Sequence, residues 1–151
     1  IRTRLVGSEM CIRDRPSNVH LISEHLDFGR VQAILNEHVV HLCLSRSEGW
    51  GHYIVEAMSC GSLVVTTDGP PMNEVVSENR GELVSYENSK PRRLGREFAV
   101  NEAALEDRIK TLITADDDYI KTKGAAARNW YQENDEKFKE RLVHQLKGSL
   151  T

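Results

Sequence analysis

Apolar residues fall into short continuous runs, separated by stretches in which they recur at helical spacing. The runs at residues 19–22 (VHLI), 39–44 (VVHLCL), 63–67 (LVVTT) and 81–84 (GELV) predict strands. The run at 39–44, short and rich in β-branched and aliphatic residues, is expected of a strand buried on both faces of a parallel sheet. Between them, Val31, Ile34 and Leu35 make one apolar stripe and predict a helix over 28–36, with 23–27 as its entry loop. A second helix is predicted over 51–59, closed by Gly61, and a short third over 72–76 behind the turn chemistry of Asp68, Gly69, Pro70 and Pro71. Further on, Asn101 caps a helix whose stripe is Leu105, Ile109, Leu112 and Ile113, predicted to cover the sheet. Two more helices are predicted over 119–134 and 135–146, with 81–84 as the last strand and 85–99, aperiodic and containing Pro91, as an exposed loop. The fold class expected is α/β: a partial Rossmann-like parallel sheet with flanking helices and a helical C-terminus.

The chemistry concentrates between the second and third runs, in Ser45-Arg46-Ser47-Glu48-Gly49-Trp50-Gly51-His52-Tyr53-Ile54-Val55-Glu56. Gly49 and Gly51 let the backbone turn sharply and approach a ligand. In the helix that follows, His52 and Glu56 stand four apart and share a face. The first amides of such a helix have no intrahelical partner and lie at the positive end of its dipole, so they form an anion site. Glu48 and Glu56 then border one crevice. One carboxylate can accept hydrogen bonds from a sugar and the other from a ribose, with phosphates between them on the amides near His52 and Tyr53.

Glu48 and Glu56, framing Gly49-Trp50-Gly51 and followed by Ala57-Met58-Ser59-Cys60-Gly61-Ser62-Leu63-Val64-Val65, resemble the donor-site signature of retaining GT-B glycosyltransferases of family four. That signature reads S-x-x-E-G-F-G-x-x-x-x-E-A-M-A-C-G-x-P-V-V. The resemblance implies that Glu48 contacts the donor sugar and is the catalytic-site carboxylate. It implies that the turn and first helical amides, at Gly49, Trp50, Gly51, His52 and Tyr53, hold the diphosphate, and that Glu56 binds the ribose. Trp50 stands where phenylalanine is usual and His52-Tyr53 where leucine-proline is common, departures that bear on the sugar. The resemblance further implies a nucleoside-diphosphate-sugar donor, an unknown acceptor, and no resident cofactor or catalytic metal. It also implies a partner N-terminal GT-B domain that is missing here.

Several residues carry a bland reading beside the functional one. His25 lies in the loop that holds the nucleotide base in the resembling family, but a solvated loop histidine reads as well. Glu74 belongs to an element similar to the family's G-x-P-E-V-V and is expected to be a structural or capping carboxylate. Asp116, Asp117 and Asp118 suggest a metal cluster, yet acids at a helix junction favour the next N-terminus, and capping is expected. Lys90, Arg92, Arg93 and Arg96 could meet an acidic partner or phosphate, but a solvated face is the ordinary explanation. Gly124, Ala127 and Arg128 resemble the family's closing G-x-x-A-R element, with Phe138 near its usual aromatic. Trp130 and Tyr131 are expected to pack in a core or between domains, and the final helix to expose an apolar face.

Composition narrows the classes. The net charge of −3 argues against electrostatic nucleic-acid binding. No apolar run is long enough to span a membrane. Three cysteines, Cys11, Cys43 and Cys60, lack metal-ligand spacing and fit free thiols in a reducing compartment. A cytoplasmic location is expected, or one peripheral to a membrane in the complete protein. Residues 1–15, with Gly7-Ser8-Glu9-Met10-Cys11-Ile12-Arg13-Asp14, resemble a translated sequencing adaptor, against the alternative of a disordered or helical native N-terminus. Setting them aside makes the net charge −5 and leaves 16–151 as a truncated nucleotide-sugar-binding domain. The expected function is that of a fragment, inactive alone, of an enzyme that transfers a sugar with retention. The alternatives are a noncatalytic nucleotide-binding or interaction module of Rossmann-like fold, and a GT-B relative with other chemistry, such as a sugar-nucleotide epimerase.

Overall fold

A computed structural model describes residues 18–148. Its centre is strand β2 (Leu63–Thr67), every residue of which is buried. Strands β1 (Val40–Cys43) and β3 (Glu82–Val84) flank it in parallel, in the order β1-β2-β3. Val40 pairs with Leu63 and Cys43 with Thr66 on one side, and Val65 with Glu82 and Thr67 with Val84 on the other. Side chains alternate along a strand, so β2 feeds two cores. Val64 joins Ile54, Met58, Met72, Val76 and Ala127 on one face. Leu63 and Val65 join Val84 and Leu112 on the other, with Leu105 and Ile120 against them.

Parallel neighbours need crossovers, and the helices α1 (Phe28–Glu37), α2 (His52–Ser59) and α3 (Met72–Val75) alternate with the strands. Helix α1 starts at Asp27, whose carboxylate accepts from the Arg30 amide at 2.9 Å. Helix α2 ends in a Schellman closure: Gly61 at φ 75° donates to the Met58 carbonyl and Ser62 to the Ala57 carbonyl. Helix α4 (Glu102–Thr114) begins at Asn101, which accepts from the Ala104 amide. Helix α5 (Asp117–Gly148) follows, and Asp116 accepts from the Tyr119 amide at 2.7 Å. The acidic run therefore caps a helix, as expected.

Six expectations are corrected. Residues 19–22 form no strand: Val19, Leu21 and Ile22 are exposed and no described strand pairs with them. Strand β1 lies at an edge of the described sheet, and its Leu42 is 52% exposed, so it is not buried on both faces. Ile113 is 78% exposed; the inward side of α4 runs through Leu105, Ile109 and Leu112, and Ile113 is rotated off that line. Residues 85–99 are not a loop, nor is 81–84 the last strand, because β4 (Tyr86–Arg92) and β5 (Gly95–Val100) form an antiparallel hairpin. Nothing packs on most of β4, so neither of its faces selects apolar residues, and Pro91 is tolerated because the two-stranded ribbon has only edges. Finally, the two helices predicted after residue 119 are one, since no breaker separates them and the Lys137–Glu133 pair bridges the junction.

The long helix is fastened at two places. Glu82, 3% exposed, accepts from Arg108 Nη1 at 2.6 Å and from Lys123 and Tyr119, tying β3 to α4 and α5. Burial alone would lower the Lys123 pKa, but its hydrogen bonds to Glu82 and Tyr119 and the charge of Glu82 outweigh that and raise it. Gly124 lies against the end of α2, where an added Cβ would come within 2.1 Å of the Gly61 oxygen. Trp130 and Tyr131 pack on the core, and Arg80 stacks over the Trp130 ring at 4.8 Å. Beyond them the helix exposes Phe138, Leu142, Val143 and Leu146, the apolar face expected of it.

Neither backbone at the Gly61–Gly124 contact can retreat without opening the core. Gly124→Ala should therefore cost about 1–3 kcal/mol, the usual scale of overpacking. A lower urea midpoint at unchanged m-value is the expected result; an unchanged midpoint would mean that α5 slides freely over α2.

Candidate functional site

The site grows from the turn between β1 and α2. Thr66 and Thr67 of β2 donate to the Cys43 and Ser45 carbonyls, each at 2.9 Å, and so hold the exit of β1 against the central strand. Ser45 Oγ donates to Glu48 Oε1 at 2.6 Å, which fixes the half-buried carboxylate at the mouth of the turn. Gly51 is the N-cap of α2 at φ 75° and supplies no side chain to the helix end. Its carbonyl accepts from Ile54 and Val55, which leaves the amides of His52 and Tyr53 as the leading donors of the helix.

The other predicted residues divide by exposure. Gly49, Trp50 and His52 are exposed, with Trp50 at 47%. Glu56 is half-buried one turn into α2 on the side of His52. Tyr53 turns inward, and its hydroxyl donates to the Cys43 carbonyl at 3.3 Å. Burial is the main reason that its phenol is pushed up to about 12. The buried Cys43 thiol is likewise raised to about 12, first by burial and then by the charge of Glu48. Tyr53 thus offers its amide, and its ring belongs to the core.

A cleft of about 350 Å³ opens beside Glu48. Ser47, Glu48 and Gly49 form one wall, Pro70, Pro71 and Glu74 a second, and Gly95, Arg96 and Phe98 a third. Trp50, His52, Tyr53 and Glu56 are not among its lining residues. The cleft therefore gathers the Glu48 side of the predicted site and not the Glu56 side. Glu74 does not cap α3, whose N-cap is Pro71; its carboxylate is exposed at the cleft. His25 is exposed in the segment before α1 and lines no part of the cleft.

The third wall includes one residue singled out in the sequence, Arg96 of the basic run, and two that were not, Gly95 and Phe98. It is set by Phe98, 3% exposed, whose amide donates to the Arg46 carbonyl at 2.7 Å and whose ring lies over Gly69 and beside Tyr86. Outside this anchor, Glu97 pairs with Arg46, with Lys90 at 3.9 Å and with Arg92 at 3.5 Å. The basic run was the available signal, but only the long-range contact to Arg46 places it against Glu48. Among the described residues no group of three histidine, cysteine or acidic side chains could hold a metal ion, and Cys43 and Cys60 are free thiols.

A strand, a glycine turn and a helix start without a side-chain cap lie between Glu48 and Glu56. Residues 16–114 match the family model described as glycosyl transferases group 1. The chain belongs to that family. As a group 1 glycosyl transferase domain it is 31% identical over 113 residues to the alpha-maltose-1-phosphate synthase of Mycolicibacterium smegmatis, a match covering 74% of this chain and 27% of that protein. It also resembles a chain in the crystal structure of a GtfA/B complex, with a TM-score of 0.52, 20% identity, and coverage of 71% of this chain and 20% of that one. The second likeness concerns the fold, an α/β GT-B domain. The chain spans little more than a quarter of the curated relative and a fifth of the structural one. Among the described residues no helix is long and apolar enough to cross a membrane.

The raised pKa values have a signed consequence for the transferase domain. Folded Cys43 and Tyr53 keep their protons where the unfolded chain, at the ordinary 9.0 and 10.0, gives them up. Their contribution to stability is present below about pH 9 and is lost as the pH rises toward about 12. Urea midpoints should fall between about pH 8 and about pH 10.5, and Cys43→Ala and Tyr53→Phe should each flatten the fall. An equal slope in all three proteins would show that other groups govern the alkaline limb.

Proposed function

We propose that this domain binds the nucleoside-diphosphate sugar of a retaining glycosyltransferase. The supporting observation is the placement of Glu48 and Glu56 on either side of a glycine turn whose helix has no side-chain cap. In this reading Glu48 meets the donor sugar and Glu56 the ribose hydroxyls. The turn through Gly49, Trp50 and Gly51 and the amides of His52 and Tyr53 hold the diphosphate. Amides and a helix dipole stabilise the charge that develops on the leaving diphosphate without needing to reorganise. No side chain here has the setting of a nucleophile, and Glu48 is assigned to orientation and electrostatics, not to proton abstraction.

The rest of the machinery is assigned elsewhere. A second GT-B domain would carry the acceptor and the far wall of the cleft, and basic residues ahead of those described here would share the diphosphate charge. Residues 16–151 would then be the donor-binding part, cytoplasmic and inactive by itself, with residues 1–15 foreign to it. The relative's name describes a synthase of a phosphorylated disaccharide; the acceptor of this transferase stays unassigned.

In the complete protein, Glu56→Ala should weaken nucleotide-sugar binding by about 1–3 kcal/mol. Unchanged donor affinity in calorimetry would remove the ribose assignment. Glu48→Gln should lower turnover more than it lowers affinity for the free nucleoside diphosphate, and equal losses would point to a purely structural carboxylate. Activity should survive EDTA; its abolition with recovery on adding a divalent ion would overturn the metal-free assignment.

A further inference from the structure

The cations of the hairpin are not equivalent. Along β5, Arg96 shares a face with Phe98, and Phe98 is the residue buried against the body of the domain. Glu97 points the other way, and Arg46, Lys90 and Arg92 all pair with it. Two of the hairpin's positive charges, together with Arg46 from the loop after β1, are thus partly neutralised by one carboxylate that is 12% exposed. Arg96 has no carboxylate at ion-pair distance among the described residues. Its contact is a hydrogen bond from Nη2 to Ser89 Oγ at 2.7 Å. That bond orients the guanidinium and leaves donors to spare on a residue that lines the same cleft as Glu48 and Glu74.

An arginine held by one neutral partner at the wall of a polar cleft is suited to an oxyanion, which its planar fork grips in bidentate fashion. In the proposed reading the diphosphate lies at the start of α2, whose residues do not line this cleft. What enters here is the sugar side of the substrate. We propose that Arg96 is a specificity residue that selects a sugar bearing an oxyanion group, a carboxylate or a phosphate, while Glu48 and Glu74 accept from its hydroxyls. This rests on the donor-site reading of Glu48 and adds the chemical class of the sugar. The anionic group has two sources, the donor sugar or the acceptor, and binding experiments separate them.

The test uses the complete protein in calorimetry. UDP, GDP and ADP identify the preferred base, and the glucose and glucuronic acid diphosphate esters of that base are then compared. An anionic donor predicts that the glucuronic acid ester binds roughly tenfold or more tighter than the glucose ester, and that R96Q brings the ratio close to one. R96K should retain part of the preference, and S89A, which frees the guanidinium, should reduce it. An anionic acceptor predicts no such ratio for the donors. Instead, the nucleoside-diphosphate-loaded protein takes up glucuronate or glucose 1-phosphate, and R96Q does not. If neither preference exists, or if both survive R96Q, the assignment of Arg96 is wrong while the donor site stands, provided that Glu56→Ala still weakens nucleotide binding. If the wild-type protein binds none of the three nucleotides, both readings fall.

Discussion

Burial of β2 on both faces is the constraint from which the rest follows. A strand with no solvated side must be covered twice, and its parallel neighbours can be reached only by crossovers. Each crossover brings the chain back over a face of the sheet. Helix α2 therefore starts at the carboxyl end of β1 and ends where β2 begins, with Gly61 turning the chain. The helix start, with its free amides, has no other place to lie than the carboxyl edge of the sheet. Ligands of open α/β sheets bind at that edge for the same reason. The same strand then supplies Thr66 and Thr67, whose hydroxyls hold the β1 exit and the loop leading to Glu48. Core and site are thus joined through one element.

What the sequence disclosed of the fold tracks how many independent signals each segment carried. From β1 to β2 an apolar run, two turn glycines, a helical face and a closing glycine all agree, and the elements lie where expected. Asn101 and Asp116 were legible for a similar reason, since a cap is a local hydrogen bond between residues three apart. The misread elements had no such agreement. Residues 19–22 have the composition of a strand, but a strand is defined by its neighbour, and none of the described strands is beside them. The hairpin has a neighbour but no buried face along β4, so hydrophobic periodicity could not report it. Ile113 fits a helical count as well as Leu112 does, and only the position of β3 and β2 under α4 distinguishes them.

The candidate site shows the same division. The resemblance named Glu48, Gly49, Trp50, Gly51, His52, Tyr53 and Glu56, all on one continuous stretch, and the group 1 glycosyl transferase match covers that stretch. It could not say that Tyr53 spends its hydroxyl on Cys43 or that the cleft at Glu48 excludes the residues of α2. Those facts depend on side-chain direction and on chain far away in sequence. Arg96 is the clearest case. In sequence it is one cation in a basic run, with nothing to separate it from Lys90 or Arg92. Strand alternation separates them once Phe98 is known to be buried, because Phe98 puts Arg96 on the inner face and Glu97, with its three partners, on the outer.

The two walls of the cleft are consequently held with different security. Glu48 is fixed by a short hydrogen bond within a loop that β2 itself clamps, so displacing it would mean disturbing the centre of the sheet. The hairpin wall hangs on Phe98, its amide bond to Arg46, and an ion cluster whose cations are exposed, and ion pairs with exposed partners contribute little once water and salt screen them. Sequence change in the hairpin is therefore cheap in folding free energy provided that Phe98 and its backbone bond survive. The chemistry shared by a family is expected on the clamped wall and the choice of substrate on the hanging one. In this chain that choice falls to the one hairpin cation that faces the cleft without a carboxylate partner among the described residues.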